Sequence, residues 1–348
     1  MKFGQSHRAS TKLIKRLTNS QRLFISCFRG GLIHMGKTDQ AVVLEEHFAS
    51  RAFSDEYGVV GPPSLFLGDR QKRIDELDLD GIDVQVLSHA PGAAQALERQ
   101  LSVLWSSRIN DELAEWIDGS RRFGGFAALP MADPEGAVRE LDRAVNELGF
   151  CGAMIHGQTG GTMPDDPCYH DLFGMAEALG VPIYIHPGFP QADVSALYYD
   201  AYAERFPMFR MAAAGFTCET MVIAMRLMLG EITNLFPDLH LILGHLGEGI
   251  PFLLERIDES LARDNDGERF FKERFLRHFA VTTSGNFSDA ALACTLAELG
   301  PERVLFSVDW PYCDTRKARE WIDGADLSPQ DRHAVLRGNA ERLLNLSA

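Results

Sequence analysis

The sequence predicts an α/β protein of the (β/α)8 TIM-barrel class. Three observations predict it. Eight short apolar runs alternate with stretches of helical apolar spacing at intervals of roughly 30–45 residues, the order in which a closed parallel sheet is built. No linker or low-complexity segment divides the 348 residues, and a barrel of that length is commonly one domain. Several runs end in histidine or an acid, as strands do where their C-terminal ends converge on one mouth.

The elements follow in order. Residues 42–48 read as the first strand, apolar through Val42, Val43 and Leu44 and then Glu45, Glu46, His47 and Phe48. Strand side chains alternate between faces, so Glu45 and His47 share one face, with Cα atoms about 6.5–7 Å apart, and Glu46 takes the other. Residues 49–69 are irregular, punctuated by Gly58, Gly61, Pro62, Pro63 and Gly68. Helical spacing over 70–80 leads to strand two at 84–88, which ends at His89; a long helix over 94–118 leads to strand three at 127–130. Asp133 and Pro134 start the next helix, as N-cap and first helical residue, and Gly149 stops it. Strand four, 151–155, ends at His156, and the helix over 169–179 closes on Gly180. Strand five, 181–187, contains His186 and is followed by an insertion carrying Phe189, Tyr198, Tyr199, Tyr202, Phe206 and Phe209. Helix 217–235 precedes strand six, 239–245, which ends at His245. Helix 250–263, strand seven at 279–283 and helix 290–299 lead to strand eight, 304–309, which ends at Asp309. Helices over 318–324 and 330–346 finish the chain.

Composition excludes several classes. A formal net charge of -15 argues against a nucleic-acid partner, which needs basic surface. The six cysteines (Cys27, Cys151, Cys168, Cys218, Cys294 and Cys313) are scattered without a C-x-x-C pair, so neither a zinc ribbon nor a disulfide framework is indicated, and a reducing, cytoplasmic setting fits. No apolar stretch reaches the roughly 18 residues of a membrane span. Residues 1–34 contain seven Lys and Arg residues and no acid. They resemble a transit peptide in composition, but Met35-Gly36-Lys37 directly precedes the first strand and would serve as a start. We read 1–34 as an extension, disordered or not native, that is dispensable to a catalytic barrel domain over 35–348.

In such a barrel Glu45, His47, His186, His245 and Asp309, from strands one, five, six and eight, arrive at the same mouth. Imidazoles combined with carboxylates suit Zn2+ or Mn2+. An isolated Glu-x-His is more often a strand end entering solvent, and a lone strand-end histidine, such as His89 or His156, is more often a satisfied polar residue. The joint occurrence on four strands is what points to a metal. His240 opens strand six, at the opposite end of the barrel.

Residues 44–48, Ile185-His186-Pro187, Gly244-His245-Leu246-Gly247-Glu248-Gly249, Thr282-Thr283-Ser284-Gly285-Asn286-Phe287 and Ser307-Val308-Asp309-Trp310-Pro311 resemble the motifs of one family. It comprises the amidohydrolase-related, metal-dependent decarboxylases of hydroxylated aromatic acids, the γ-resorcylate, 2,3-dihydroxybenzoate and 5-carboxyvanillate decarboxylases among them. The resemblance runs from about residue 35 to the C-terminal Gly338-Asn339-Ala340-Glu341-Arg342. It implies one divalent metal on Glu45, His47, His186 and Asp309, a catalytic or supporting pair in His245 and Glu248, and Arg256 meeting the carboxylate of a small aromatic substrate. It also implies a homo-oligomer, dimer or tetramer. The Glu-x-His form of strand one, in place of His-x-His, favours decarboxylation. There are departures: where those enzymes continue strand five as His-Pro-Arg-Asn-Pro, this chain has His186-Pro187-Gly188-Phe189-Pro190, and an Asn ending their strand four is His156 here.

The resulting expectation is a non-oxidative carboxy-lyase. Asp309 would be the proton donor, kept protonated by burial and by its neighbour Glu45. The alternative is a metal-dependent amidohydrolase or lactonase with Asp309 as base and His245 stabilising the oxyanion. A barrel that has lost catalysis and serves as a scaffold is disfavoured by the intact ligand set. The aromatic insertion suits a substrate pocket and a subunit interface equally.

Overall fold

The computed structural model describes residues 40–58, 62–92 and 94–346. The expectation for residues 1–34 lies outside the described residues. Among those described, nine strands pair in parallel: β1 (Ala41–Phe48), β2 (Ile82–His89), β3 (Phe123–Gly125), β4 (Ala127–Ala128), β5 (Ala153–His156), β6 (Ile183–His186), β7 (Leu241–Leu243), β8 (Phe279–Thr282) and β9 (Val304–Leu305). The expected third strand is two pieces: β3 pairs with β2, and β4 pairs with β5. The break is at Phe126, whose N–H donates to Leu87 O at 2.9 Å while Ala127 N–H turns to Gly152 O at 2.9 Å. Closure comes beyond β9, where Asp309 N–H donates to Glu45 O at 2.9 Å and His47 N–H to Trp310 O at 2.6 Å. Eight staves therefore complete the predicted barrel.

Residues alternate between two cores. Val42, Leu44, Val86, Phe126, Met154, Tyr184, Ile242 and Leu305 fill the barrel interior, and Leu343 and Leu344 of the last helix pack against them. Val43, Phe48, Leu87, Ile183, Ile185, Leu243 and Val281 face the helices. A fully buried residue of this kind contributes about 1.5–3 kcal/mol relative to its exposed state.

The helices differ from expectation in their ends. The helix expected at 94–118 spans Arg99–Ile117, because the Glu98 side chain accepts from Leu101 N–H and so caps it there. Helix 217–235 is two helices, Gly215–Leu229 and Ile232–Leu235, parted at Gly230. The last helix contains a π-turn over Ala334–Gly338. Asp133 stands at the N-cap with Pro134 behind it, but its carboxylate pairs with Arg99 at 2.7 Å rather than capping. One expectation is corrected. The 23-residue run Pro207–Leu229, with an 18-residue window of mean hydropathy 1.4, is long and apolar enough to cross a membrane by length and composition. Arg210, Glu219 and Arg226 interrupt it, so no unbroken apolar stretch is visible in the sequence. Ile223, Ala224, Leu227 and Met228 of this run are buried in the helix-facing core of the barrel.

A bulge in β1 decides what the barrel presents. Val43 pairs with Gln85 and Glu46 with Leu87, so β1 advances three residues while β2 advances two. Such an extra residue reverses the alternation beyond it. Val42 and Leu44 face the interior before the bulge, and Glu45 and His47 face it after. The adjacent N–H groups of Leu44 and Glu45 both donate to Ser307 Oγ, at 2.8 and 2.7 Å. Glu46 is left on the outer face with Phe48.

Candidate active site

Glu45 stands at the centre, fully buried. Its Oε2 accepts from the hydroxyls of Tyr184 and Ser284 and from Thr282 Oγ1 at 3.0 Å. Tyr184 lies two residues before His186, and Ser284 two after Thr282, so strand alternation turns both hydroxyls inward. Burial, then the Glu45 charge, raises the Tyr184 phenol well above its usual range, so it remains a donor. Gly244 makes room, since a Cβ there would lie 2.7 Å from Glu45 Oε2. With Oε2 saturated, Oε1 is buried with no hydrogen-bond partner.

Three further side chains converge on that atom. His186 Nε2 lies 3.4 Å from Glu45 Oε1, and His47 Nε2 lies 3.3 Å from Asp309 Oδ1. His47 Nε2 is also buried without a hydrogen-bond partner. The Nδ1 atoms are engaged behind, His47 with Ser88 Oγ at 3.2 Å and His186 with Pro187 O at 2.9 Å, which leaves the Nε2 lone pairs pointing inward. One ligand atom each from Glu45, His47, His186 and Asp309 lies within 4.8 Å of the others. Atoms bound at 2.0–2.2 Å to a single ion lie within roughly 4.4 Å of each other, so a slight contraction suffices. Two orphaned buried atoms in a set of two imidazoles and two carboxylates fit a divalent cation.

His245 and Glu248 are brought together by backbone conformation. His245, Leu246, Gly247, Glu248 and Gly249 all have φ between 53° and 81°. This left-handed turn is costly for the non-glycine members, about 1–2 kcal/mol each. It sets the two side chains on the same side, with His245 Nδ1 2.7 Å from Glu248 Oε1. His245 Nε2 then points at the centre, 3.6 Å from Glu45 Oε1 and 3.9 Å from Asp309 Oδ2. Burial works against its charge, but Glu248, Glu45 and Asp309 outweigh burial and raise the imidazole well above its usual range. Gly285 lies against this pair: a Cβ there would approach His245 Cδ2 to 3.0 Å and Asp309 Oδ2 to 3.3 Å.

With this geometry in place, comparison with known proteins is informative. Residues 59–346 match the family described as Amidohydrolase. The chain belongs to the amidohydrolase family. It is 38% identical over 330 residues to the γ-resorcylate decarboxylase of Rhodococcus jostii (strain RHA1), covering 88% of this chain and 98% of that protein. Among solved structures it resembles 2,6-dihydroxybenzoate decarboxylase complexed with 2,6-dihydroxybenzoate, with a TM-score of 0.80 and 35% identity over 89% of this chain and 100% of the other. It also resembles the dihydroxybenzoic acid decarboxylase of Polaromonas sp. JS666 with bound manganese and the inhibitor 2-nitroresorcinol, with a TM-score of 0.80 and 34% identity over 88% and 97% of the two chains.

Of the residues expected at the site of this amidohydrolase, Glu45, His47, His186, His245, Glu248 and Asp309 come together, and Arg256 does not. Arg256 is exposed on the helix Ile250–Ala262, on the face opposite the buried Ile250, Leu254 and Asp258. The expected protonation of Asp309 is corrected as well. Burial pushes its carboxyl up, but His245 and His47 outweigh burial and hold it below the usual carboxylate range.

Several residues were missed by sequence reasoning. Tyr184, Thr282, Ser284 and Ser307 form a hydroxyl layer beneath the ligands; the available signal was period-2 spacing, of Tyr184 from His186, of Ser307 from Asp309, and of Thr282 from Ser284. Tyr312 stands at the rim, its ring 5.8 Å from that of His47. His156 backs His186, with Nδ1 atoms 3.1 Å apart, and Gln95 brackets its backbone through two bonds of 2.9 Å. The amidohydrolase barrel also explains Gly188: a Cβ there would lie 2.7 Å from Gly157 Cα, because the ends of β5 and β6 cross closely. Of the insertion's aromatics, Tyr199 is buried, whereas Phe189, Tyr198, Tyr202 and Phe206 are exposed.

Proposed function

We propose that this amidohydrolase is a metal-dependent, non-oxidative decarboxylase of a hydroxylated aromatic acid with a phenolic hydroxyl beside the carboxylate. The observation that carries the reading is the near-complete alignment with a γ-resorcylate decarboxylase at 38% identity, over 98% of that protein's length. The convergent Glu45, His47, His186 and Asp309 support it. These four residues would hold one divalent ion, Mn2+ or Zn2+. Bound there, the ion would supply Lewis-acid charge for the substrate's carboxylate and phenolic oxygens.

The remaining work falls to the chain's own side chains. Asp309, ionised in the resting site, accepts the phenolic proton as substrate binds. It then delivers that proton to the ring carbon bearing the carboxylate. The C–C bond breaks, its electron pair restores the aromatic ring, and CO2 leaves. His245, protonated and steadied by Glu248, offsets the negative charge on Asp309 from 3.9 Å. Tyr312 flanks the ring at the rim. Arg256 has no part in this scheme.

The exposed Leu197, Tyr198, Tyr202, Phe206 and Met208 support a homo-oligomer, dimer or tetramer, and the free cysteines support a cytoplasmic setting. The reaction is tested by offering a panel of hydroxybenzoates to the metal-loaded protein. We expect CO2 release, deuterium at the vacated ring carbon when the reaction is run in D2O, and loss of both in Asp309→Asn while substrate still binds. No CO2 release together with lactone or amide opening would replace this reading with the hydrolase one.

A further inference from the structure

Asp309 is held in place from outside the barrel. Its own backbone has φ of 72°, left-handed for a non-glycine residue. Three successive N–H groups there donate to β1: Val308 to Glu46 Oε1 at 2.9 Å, Asp309 to Glu45 O at 2.9 Å, and Trp310 to Glu46 Oε2 at 3.3 Å. Successive N–H groups around a left-handed residue form a concavity that takes acceptor oxygens, and here the acceptor is the Glu46 carboxyl, which burial pushes up to about 8. Ser307 Oγ donates to Glu46 Oε1 at 3.2 Å as well.

We propose that Glu46 is a positioning residue whose carboxyl oxygens clamp the amides on either side of Asp309 and so aim Asp309 at the metal and the substrate. Glu46 is fully buried on the outer face of β1 and never meets substrate. A buried carboxyl with no role in orientation would be a costly substitute for an apolar residue. Its remaining contacts extend the clamp outward. Gln85 Nε2 lies 3.4 Å from Glu46 Oε2, Gln85 Oε1 accepts from Arg73 Nε at 3.0 Å, and the Arg73 guanidinium stacks 3.7 Å above the Trp310 ring. Trp310 is thus fixed through both its amide and its ring. Two neighbouring glutamates therefore divide the labour across the β1 bulge: Glu45 faces the ion site and Glu46 secures another of its ligands.

The inference rests on Asp309 as ligand and proton carrier, and a double-mutant cycle separates it from the decarboxylase reading. Glu46→Gln keeps the shape but replaces one acceptor oxygen with a donor that faces an N–H. Mn2+ dissociation constants are measured for the native protein, Glu46→Gln, Asp309→Asn and the double variant. We expect Glu46→Gln to weaken Mn2+ about 10- to 100-fold, as loss of a ligand's supporting contact does. The double variant is then expected to bind no more weakly than Asp309→Asn alone, because the two residues act as one unit. At saturating Mn2+, kcat of Glu46→Gln falls while KM stays within about threefold. Gln85→Met, which removes only the outer contact to Glu46, follows the same non-additive pattern with a smaller effect and serves if Glu46→Gln does not fold. Multiplicative losses, or native Mn2+ affinity and kcat in Glu46→Gln, would overturn the proposal. A native protein that binds Mn2+ but releases no CO2 sinks the decarboxylase reading and leaves the Mn2+ cycle to be read by itself.

Discussion

At the scale of single residues, the site depends on occupying one oxygen so that another is free. Glu45 Oε2 is saturated by three hydroxyls, and Oε1 is therefore presented bare. Ser284→Ala removes one of those donors. We expect Mn2+ to bind about 10- to 100-fold more weakly, checked by equilibrium dialysis at unchanged fold. His89 illustrates the cost of a buried base. Ser50 N–H donates to its Nε2 at 3.1 Å and its Nδ1 faces Ala90 O at 3.0 Å, so a second proton has no acceptor. Burial pushes this imidazole down to about 4. The unfolded chain takes up the proton from about pH 6.5, so between there and pH 4 it binds more protons than the folded chain, and stability falls as pH falls. The whole effect is at most about 3 kcal/mol from this group. Thermal midpoints measured from pH 7.5 to 4.5 should decline less steeply in His89→Gln.

At the scale of elements, the β1 bulge and the left-handed turn after β7 do the positioning. The bulge makes Leu44 and Glu45 both interior, and its two adjacent amides both donate to Ser307 Oγ. Ser307→Ala leaves them unpaired in the core. We expect a loss of about 1–3 kcal/mol in denaturant midpoint, at the cost of unsatisfied buried donors, together with weaker Mn2+ binding. An unchanged midpoint would mean that the bulge is held by strand pairing and needs no hydroxyl. Much of this scale was legible in the sequence. The strand ends at His47, His186, His245 and Asp309 follow from apolar runs closing on polar residues. The split of the third strand at Phe126 was not, because it depends on which neighbour each half pairs with, β2 or β5. Arg256, expected at the site from the family resemblance, lies on the exposed face of its helix, opposite the buried Ile250, Leu254 and Asp258.

At the scale of the whole molecule, the ligands come from β1, the end of β6 and the segment after β9, which meet only when the barrel closes. A divalent ion bound to the folded chain alone stabilises it by mass action, about 2.7 kcal/mol at a hundredfold excess over its dissociation constant. Mn2+ should therefore raise the thermal midpoint, a chelator should reverse the rise, and His186→Ala should show neither, as read by calorimetry. A full shift in His186→Ala would remove β6 from the ligand set.

The sequence by itself determined the barrel, the order of its staves and the chemistry at their ends, because periodicity and residue type are local properties. Glu45 and His47 share a face by strand geometry alone. Only the tertiary structure decided that this face is the interior, since the bulge that turns it inward is defined by register against β2 and by Ser307, 262 residues away from Glu45. It likewise decided that Glu46, beside Glu45 in the chain, lies outside the barrel under Val308 and Trp310. Hydrogen bonds between residues so distant in sequence leave no periodic trace, and the ionisation of Asp309 follows from imidazoles contributed by β1 and by the turn after β7.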